Sequence, residues 1–337
     1  MKIENNISLK SFNTFGVEAI ARQFVKVNSE LELKEVLSEN PSVPIFILGG
    51  GSNMLLTKDI DELVIFNNMK GIDVVVESDD YVQVQACAGE NWHQLVLWCI
   101  DHNYGGIENL ALIPGSVGAA PIQNIGAYGV ELKEVFIACH AVNLKTGESK
   151  RFDRNTCDFG YRHSIFKTKE KGNWIITSVI LELSKNLHHL KTDYGAIQEQ
   201  LDALGIKNPT IRDVAQVVIG IRSSKLPDPM ILGNSGSFFK NPLVNKSKVD
   251  NLLQTYTAMP YFEMSDGEFK IPAAWLIEQS GFKGKRFGNC GVHENQALVL
   301  VNFGGATGSE ILNLATNIRN EVNQKFGIFL EMEVNIL

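Results

Sequence analysis

The sequence predicts an α+β fold spread over two or three domains. Strand-like and helix-like periodicities both run the length of the chain but do not alternate simply, which argues against a doubly wound sheet. A long β-rich run, bounded by apolar stretches at 135–144 and 174–183, occupies the middle. The length, 337 residues, exceeds that of one ordinary domain.

Each element has a local reason. Ser29-Glu30-Leu31-Glu32 has capping-box form and opens a short helix that must end before Pro41. Residues 43–48 are an apolar strand running into Gly49-Gly50-Gly51-Ser52-Asn53, and 63–66 are a second strand. Strands follow at 73–77 and 81–86, the latter with period-2 alternation. Residues 91–102 place Trp92, Leu95, Val96, Trp98 and Cys99 at helical spacing, and Gly105-Gly106 stops the helix. Helices are expected at 193–204 and at 210–223, the second opened by Thr210 and Asp213. A domain boundary is placed at 204–210, ahead of the break at Lys225-Leu226-Pro227-Asp228-Pro229. Pro272 starts a helix that Gly281 ends. A strand at 296–302, an amphipathic helix at 307–326 stopped by Gly327, and a closing strand at 328–336 complete the chain.

Composition narrows the function. Net charge is −7, which argues against a general nucleic-acid binder. A few local Lys and Arg can still hold phosphates. The first residues, Met1-Lys2-Ile3-Glu4-Asn5-Asn6, are polar and acidic rather than a secretory signal, and the longest apolar runs are too short to cross a bilayer. The five cysteines are odd in number, widely spaced and without a C-x-x-C, so they read as reduced thiols of a cytoplasmic protein with no metal site. No G-x-G-x-x-G follows a strand, and no P-loop, H-E-x-x-H or G-x-S-x-G occurs. Rossmann enzymes, P-loop NTPases, zincins and α/β-hydrolases are thereby removed.

Five segments carry chemistry. Gly49-Gly50-Gly51-Ser52-Asn53, after an apolar strand, can turn backbone N–H groups onto a pyrophosphate, although such a triplet also serves as a plain tight turn. The run from Ile113 to Gly129 is rich in small residues and nearly uncharged, so a flat ring or pyrophosphate can lie close to its backbone; a packed interstrand loop is the alternative. Arg162, within Asp158-Phe159-Gly160-Tyr161-Arg162-His163, sits among aromatics, which suits a carboxylate partner as well as an ordinary salt bridge. Ser237 lies between Gly236 and Phe238-Phe239, a turn hydroxyl or a reactive one. Glu331 and Glu333 share a face of the last strand, where solvent exposure is the simpler reading.

In this order, and with Asn13-Thr14-Phe15-Gly16 and Gly291-Val292-His293-Glu294-Asn295-Gln296-Ala297-Leu298-Val299, these segments resemble the UDP-N-acetylenolpyruvoylglucosamine reductase (UDP-N-acetylmuramate dehydrogenase) family, type I subgroup, nearly end to end. The resemblance implies a PCMH-type FAD-binding fold with a separate α+β substrate-binding domain. It implies FAD-binding subdomains at 1–70 (with the strand 328–337) and 71–209, and a substrate-binding domain at 210–327. Non-covalent FAD would be held by Gly49, Gly50, Gly51, Ser52, Asn53, Pro114, Gly115, Ser116, Gly118, Gln123, Asn124, Ile125, Gly126 and Ala127. Arg162, Ser237 and Glu331 would be catalytic, and Tyr128, Tyr161, Tyr194, Lys225, Asn241 and Gln296 would contact the substrate. This sequence departs from the family pattern at Ala119-Ala120, where some relatives carry hydroxyls, and at Met332, where Pro is frequent.

The implied reaction is NADPH-dependent reduction of UDP-N-acetylglucosamine enolpyruvate to UDP-N-acetylmuramate through FAD, in peptidoglycan precursor synthesis. Arg162 would stabilise charge developing at the carboxylate, Ser237 would hand a proton to the carbanion carbon through a relay by water or a nearby cation, and Glu331 would be protonated or share a proton to help the same enolate, which requires a pKa raised by burial. The protein is expected to be a cytoplasmic monomer that binds the UDP-sugar and NADPH and neither membrane nor nucleic acid. Another flavin oxidase of the same fold, or a non-catalytic UDP-sugar binding protein, are the alternatives. The absence of His and Cys from residues 49–53 speaks against the tethered flavin common in such oxidases, and the presence of Arg162, Ser237 and Glu331 together speaks against a mere binder.

Overall fold

The structure is a computed structural model that describes residues 2–337 other than 195, 265 and 266. The chain divides into two compact units. The first comprises Met1–Ile7, Ala21–Gly50 and Ile60–Arg222, and the second Ser8–Ile20, Gly51–Asp59 and Ser223–Leu337.

The first unit contains two sheets. One has four strands in the order Glu4–Ser8, Ile20–Val27, Ile60–Asn67, Ile45–Leu48. Ile60–Asn67 pairs in parallel with both of its neighbours. Helix α1 (Glu30–Glu39) makes the crossover between Ile20–Val27 and Ile45–Leu48, and the Ser29 hydroxyl accepts from Glu32 N–H at 3.1 Å, as its capping sequence predicts. Leu33, Val36 and Leu37 of α1 pack with Val25, Val27, Leu63 and Ile65 into one core.

The other sheet runs Ser149–Asp153, Phe136–Asn143, Trp174–Ser184, Tyr81–Cys87, Ile72–Glu77, antiparallel at each of these pairings. Its core takes in Trp92, Leu95, Val96 and Cys99 of α2 (Trp92–Asp101) and Ile197 and Leu201 of α3 (Ile197–Ala203). It also takes in Ile211, Val214, Val218 and Ile221 of α4 (Ile211–Lys225). That last contact relocates the expected boundary. Thr210 and Asp213 do cap α4, with Thr210 N–H donating to Asp213 Oδ2 at 2.8 Å. The apolar stripe of α4 belongs to the first core, however, so the chain leaves the unit at Arg222–Ser223 and not near residue 210.

The second unit is built on a sheet ordered Gly233–Ser237, Val299–Asn302, Cys290–Val292, Arg286–Phe287. Residues from α5 (Lys246–Thr255), α6 (Ala273–Gln279) and α7 (Gly308–Phe326) share its core with Phe15, Phe238, Phe239 and Leu330. α7 carries a full capping box, Thr307 with Glu310, and ends at Gly327 with φ 60°.

Three expected boundaries shift. The helix expected at 193–204 begins at Ile197; Gly195, at the end of the Thr192-Asp193-Tyr194-Gly195 motif, lies outside the described residues. The strand expected from residue 296 begins at Val299, because Gln296 forms a turn: its carbonyl accepts from Val299 N–H and its side-chain Oε1 from Leu298 N–H. The closing strand is reduced to Asn335–Ile336, paired in parallel with Met54–Leu55. Both partners of that pair belong to the second unit. Among the described residues no helix is long and apolar enough to cross a membrane.

Candidate active site

In the first unit the two glycine-bearing loops flagged in the sequence touch. A Cβ built on Gly50 would lie 2.7 Å from Gly115 Cα and 2.9 Å from Ser116 N, and one on Gly49 would lie 2.7 Å from Ser116 Oγ. Only glycine permits this approach. Gly118 is held as closely, 2.5 Å from the Ala88 Cβ by the same construction.

The two loops do different work. The N–H groups of Val117, Gly118, Ala119, Ala120, Asn124 and Ile125 donate to backbone carbonyls of this unit. Gly50 and Gly51 N–H have no acceptor among the described residues. Two adjacent open N–H groups on a glycine turn suit an anion, and the second loop packs small residues closely beside them. Asn124 belongs to the second loop: it is fully buried, left-handed at φ 45°, and its amide donates to Gly160 O (3.1 Å) and Glu131 Oε2 (3.2 Å) while accepting from Lys133 N–H (3.0 Å). Its side chain ties this loop to the segment bearing Arg162.

Arg162 donates through Nη2 to Gly126 O at 2.9 Å and lies 5.7 Å from the Tyr161 ring. Arg162 and Tyr128 both have left-handed backbones, φ 51° and 49°. Such residues persist where surrounding structure forces them, often at functional sites. Tyr128 is half-buried, and burial pushes its phenol pKa up. Its carbonyl accepts from Asn109 Nδ2 (2.9 Å), which also donates to Lys191 O (2.8 Å), so one buried amide ties Tyr128 to the segment leading to Tyr194. Tyr194 is half exposed and packs over Gly129.

Arg222 was missed in the sequence reading. It sits at the end of the apolar stripe of α4, within electrostatic reach of Tyr128 and Arg162, and its Nε is buried without a partner among the described residues. Burial pushes its guanidinium pKa down; Tyr128 opposes that shift and Arg162 adds to it. Two guanidinium groups this close create a field that favours an anion. The available signal was a charge four residues after Val218 on a buried helix face.

The second unit holds the remaining candidates. Ser235 Oγ donates to Ser52 O at 2.5 Å, and Thr14 N–H donates to Gly51 O at 3.1 Å. The rest of the glycine loop is thus tied to the Asn13-Thr14-Phe15-Gly16 turn and to the strand Gly233–Ser237. Ser237 ends that strand, paired with Val299. Val299 is fully buried yet lies outside the core that takes Leu298 and Leu300, so alternation puts Ser237 on the sheet face turned away from that core. His293 follows the core residue Val292 and donates its N–H to Val299 O, which puts it on the Ser237 face. Asn241 Oδ1 accepts from Ala273 N–H at 2.9 Å and so caps α6, leaving its amide nitrogen for a ligand. Lys225 and Gln296 are exposed and half-buried respectively.

Glu331 departs from expectation. The burial that a neutral acid requires is absent: its side chain is 70% exposed and bonded by Lys240 Nζ.

The first unit's glycine cradle, its close-packed floor and its arginine pair define a dinucleotide-cofactor protein, and residues 21–153 match the FAD binding domain family. Residues 228–337 match the C-terminal domain of UDP-N-acetylenolpyruvoylglucosamine reductase. Enzymes of that name are 56% identical in Flavobacterium johnsoniae, over all of both chains, and 45% identical in Pseudomonas aeruginosa, over 100% of this chain and 99% of that one. The crystal structure of the Thermus caldophilus UDP-N-acetylenolpyruvylglucosamine reductase shares the fold at TM-score 0.71 and 23% identity, covering 100% of this chain and 99% of that one. The chain belongs to the UDP-N-acetylenolpyruvoylglucosamine reductase family. It is an FAD-dependent oxidoreductase of peptidoglycan precursor synthesis.

Proposed function

We propose that Arg162, Ser237 and Glu331 act on the enolpyruvyl group of UDP-N-acetylglucosamine enolpyruvate, which the family reduces with NADPH to UDP-N-acetylmuramate. The glycine cradle, with Gly50 against Gly115–Ser116, carries the cofactor side of this reading. Bound FAD supplies the hydride chemistry between NADPH and the alkene. Arg162 pairs with the substrate carboxylate and stabilises the charge that develops beside it. Ser237 gives its proton to the carbanion carbon, and Glu331 assists the same enolate by sharing a proton with a neighbouring donor. An anaerobic titration tests the whole: NADPH bleaches the flavin band and the enolpyruvyl UDP-sugar restores it. A band that NADPH bleaches and the sugar fails to restore would overturn the substrate.

We read the two cores of the first unit as FAD-binding subdomains near 1–70 and 71–209, with the substrate-binding domain starting at Ser223. We read the protein as a cytoplasmic monomer that does not act on nucleic acid, in keeping with its charge of −7. No His or Cys lies in residues 49–53, so the FAD is non-covalent. Acid precipitation is expected to release all yellow colour to the supernatant, and colour retained in the pellet would contradict this.

Tyr194 is assigned to the substrate diphosphate. Half exposed and seated on Gly129, it presents a phenol at the surface of the first unit. Tyr194→Phe is expected to raise the KM for the UDP-sugar about fivefold, the equivalent of one hydrogen bond near 1 kcal/mol. Flavin spectrum and melting temperature stay unchanged. An unaltered KM for both sugar and NADPH would leave Tyr194 a bystander.

A further inference from the structure

A second charged residue accompanies the proposed catalytic groups of the second unit, and neither its sequence context nor its relatives' names assign it a role. Lys240 Nζ bonds Glu331, and Lys240 N–H donates to Glu331 O at 2.9 Å. Glu333 N–H donates to Phe238 O at 2.8 Å, and Phe239 pairs with Met332 in an antiparallel bridge. The segment from Ser237 to Lys240 is therefore a short ladder partner of the segment that carries Glu331. Phe238 and Phe239, between Ser237 and Lys240, are 0% and 1% exposed, so the segment is anchored in the core.

We propose that Lys240 is a positioning residue for Glu331, its ammonium fixing the carboxylate in register with Ser237. This rests on the catalytic roles proposed above. An ordinary surface ion pair joins two wandering side chains and contributes little. Here the Lys240 side chain is only 21% exposed while that of Glu331 is 70% exposed, so the lysine is the fixed member and the carboxylate the one held. Backbone and side chain of the same residue grip Glu331 together. One core-anchored segment thus presents the proposed proton donor at one end and the clamp on Glu331 at the other. Arg can replace the clamp because it also donates to carboxylate; Met fills similar space and cannot.

The test uses the FAD-loaded enzyme and separates its half-reactions by stopped-flow absorbance. Lys240→Met is expected to leave flavin reduction by NADPH within about twofold. It slows reoxidation by saturating enolpyruvyl UDP-sugar about 10- to 100-fold, as expected for one hydrogen bond to a charged group, with a smaller change in half-saturation. Lys240→Arg restores most of the rate. In a Glu331→Gln background, Lys240→Met adds no further loss, since nothing remains to be positioned. The proposal is overturned if Lys240→Met is silent while Glu331→Gln is slow, or if the two losses multiply. It is also overturned if both half-reactions fall together and Lys240→Arg fails to recover them. If Glu331→Gln leaves reoxidation intact, the catalytic role of Glu331 falls first, and the experiment shows that separately.

Discussion

Ser237→Ala is expected to leave reduction of the flavin by NADPH within about twofold, while reoxidation by the enolpyruvyl UDP-sugar slows by about three orders of magnitude, within the range for removal of a positioned general acid. The split follows from where Ser237 lies. It closes the strand Gly233–Ser237, paired to Val299, and its side chain faces away from the hydrophobic core of the second unit. The strand is secured by other groups: Ser235 Oγ on Ser52 O, and Asn234 Nδ2 on Pro227 O and Leu232 O at 3.0 and 2.9 Å. Deleting one hydroxyl therefore removes a proton and little structure, so melting temperature stays within about a degree, as for a surface-type change. Stopped-flow absorbance reads both phases. Equal losses in both would make Ser237 a structural residue and withdraw its assignment.

Gly50→Ala is expected to abolish tight flavin binding and destabilise the first unit. The new methyl meets Gly115 Cα at 2.7 Å and Gly115 C and Ser116 N at 2.9 Å. All three are backbone atoms, so no side-chain rotation relieves the overlap and the two loops must separate. Overpacking of this kind costs about 1–3 kcal/mol, and separation also displaces the Gly50 N–H, which has no acceptor among the described residues. Gly220→Ala is the control: it lies within α4, and a Cβ there meets nothing within 4 Å. It is expected to be neutral or to stabilise by up to about 1 kcal/mol through helix propensity. Flavin retention after dialysis and thermal melting measure both variants. Full flavin occupancy and an unchanged melt in Gly50→Ala would remove the cradle from the cofactor site.

How far the sequence reaches depends on the range of the forces involved. Ser29, and Thr210 with Asp213, cap their helices as read, and Gly327 ends the last helix, because a cap is settled within four residues of the chain. The strands Tyr81–Cys87 and Trp174–Ser184 were legible from their apolar content for the same reason. Two groups of glycines were also visible, at 49–51 and 115–129. The sequence could not say that Gly50 and Gly115 touch, since that contact joins distant segments through tertiary packing.

Local reading failed where a long-range contact decided the outcome. The break at Pro227-Asp228-Pro229 suggested that α4 opens a new domain, but burial of Ile211, Val214, Val218 and Ile221 in the first core holds the helix there. Arg222 was overlooked because an Arg at a helix end is ordinarily solvated; only the fold puts Tyr128 and Arg162 beside it. Glu331 was expected to be a buried acid, and the structure instead pairs it with a lysine 91 positions earlier. By itself the sequence determined the α+β class, the helix caps, the glycine loops and the family, all of which rest on local patterns and residue identity. The tertiary structure decided where the units divide, that the two glycine loops touch, and which charges stand beside Arg162 and Glu331. Those depend on burial and on contacts between residues far apart in the chain, and no local pattern encodes them.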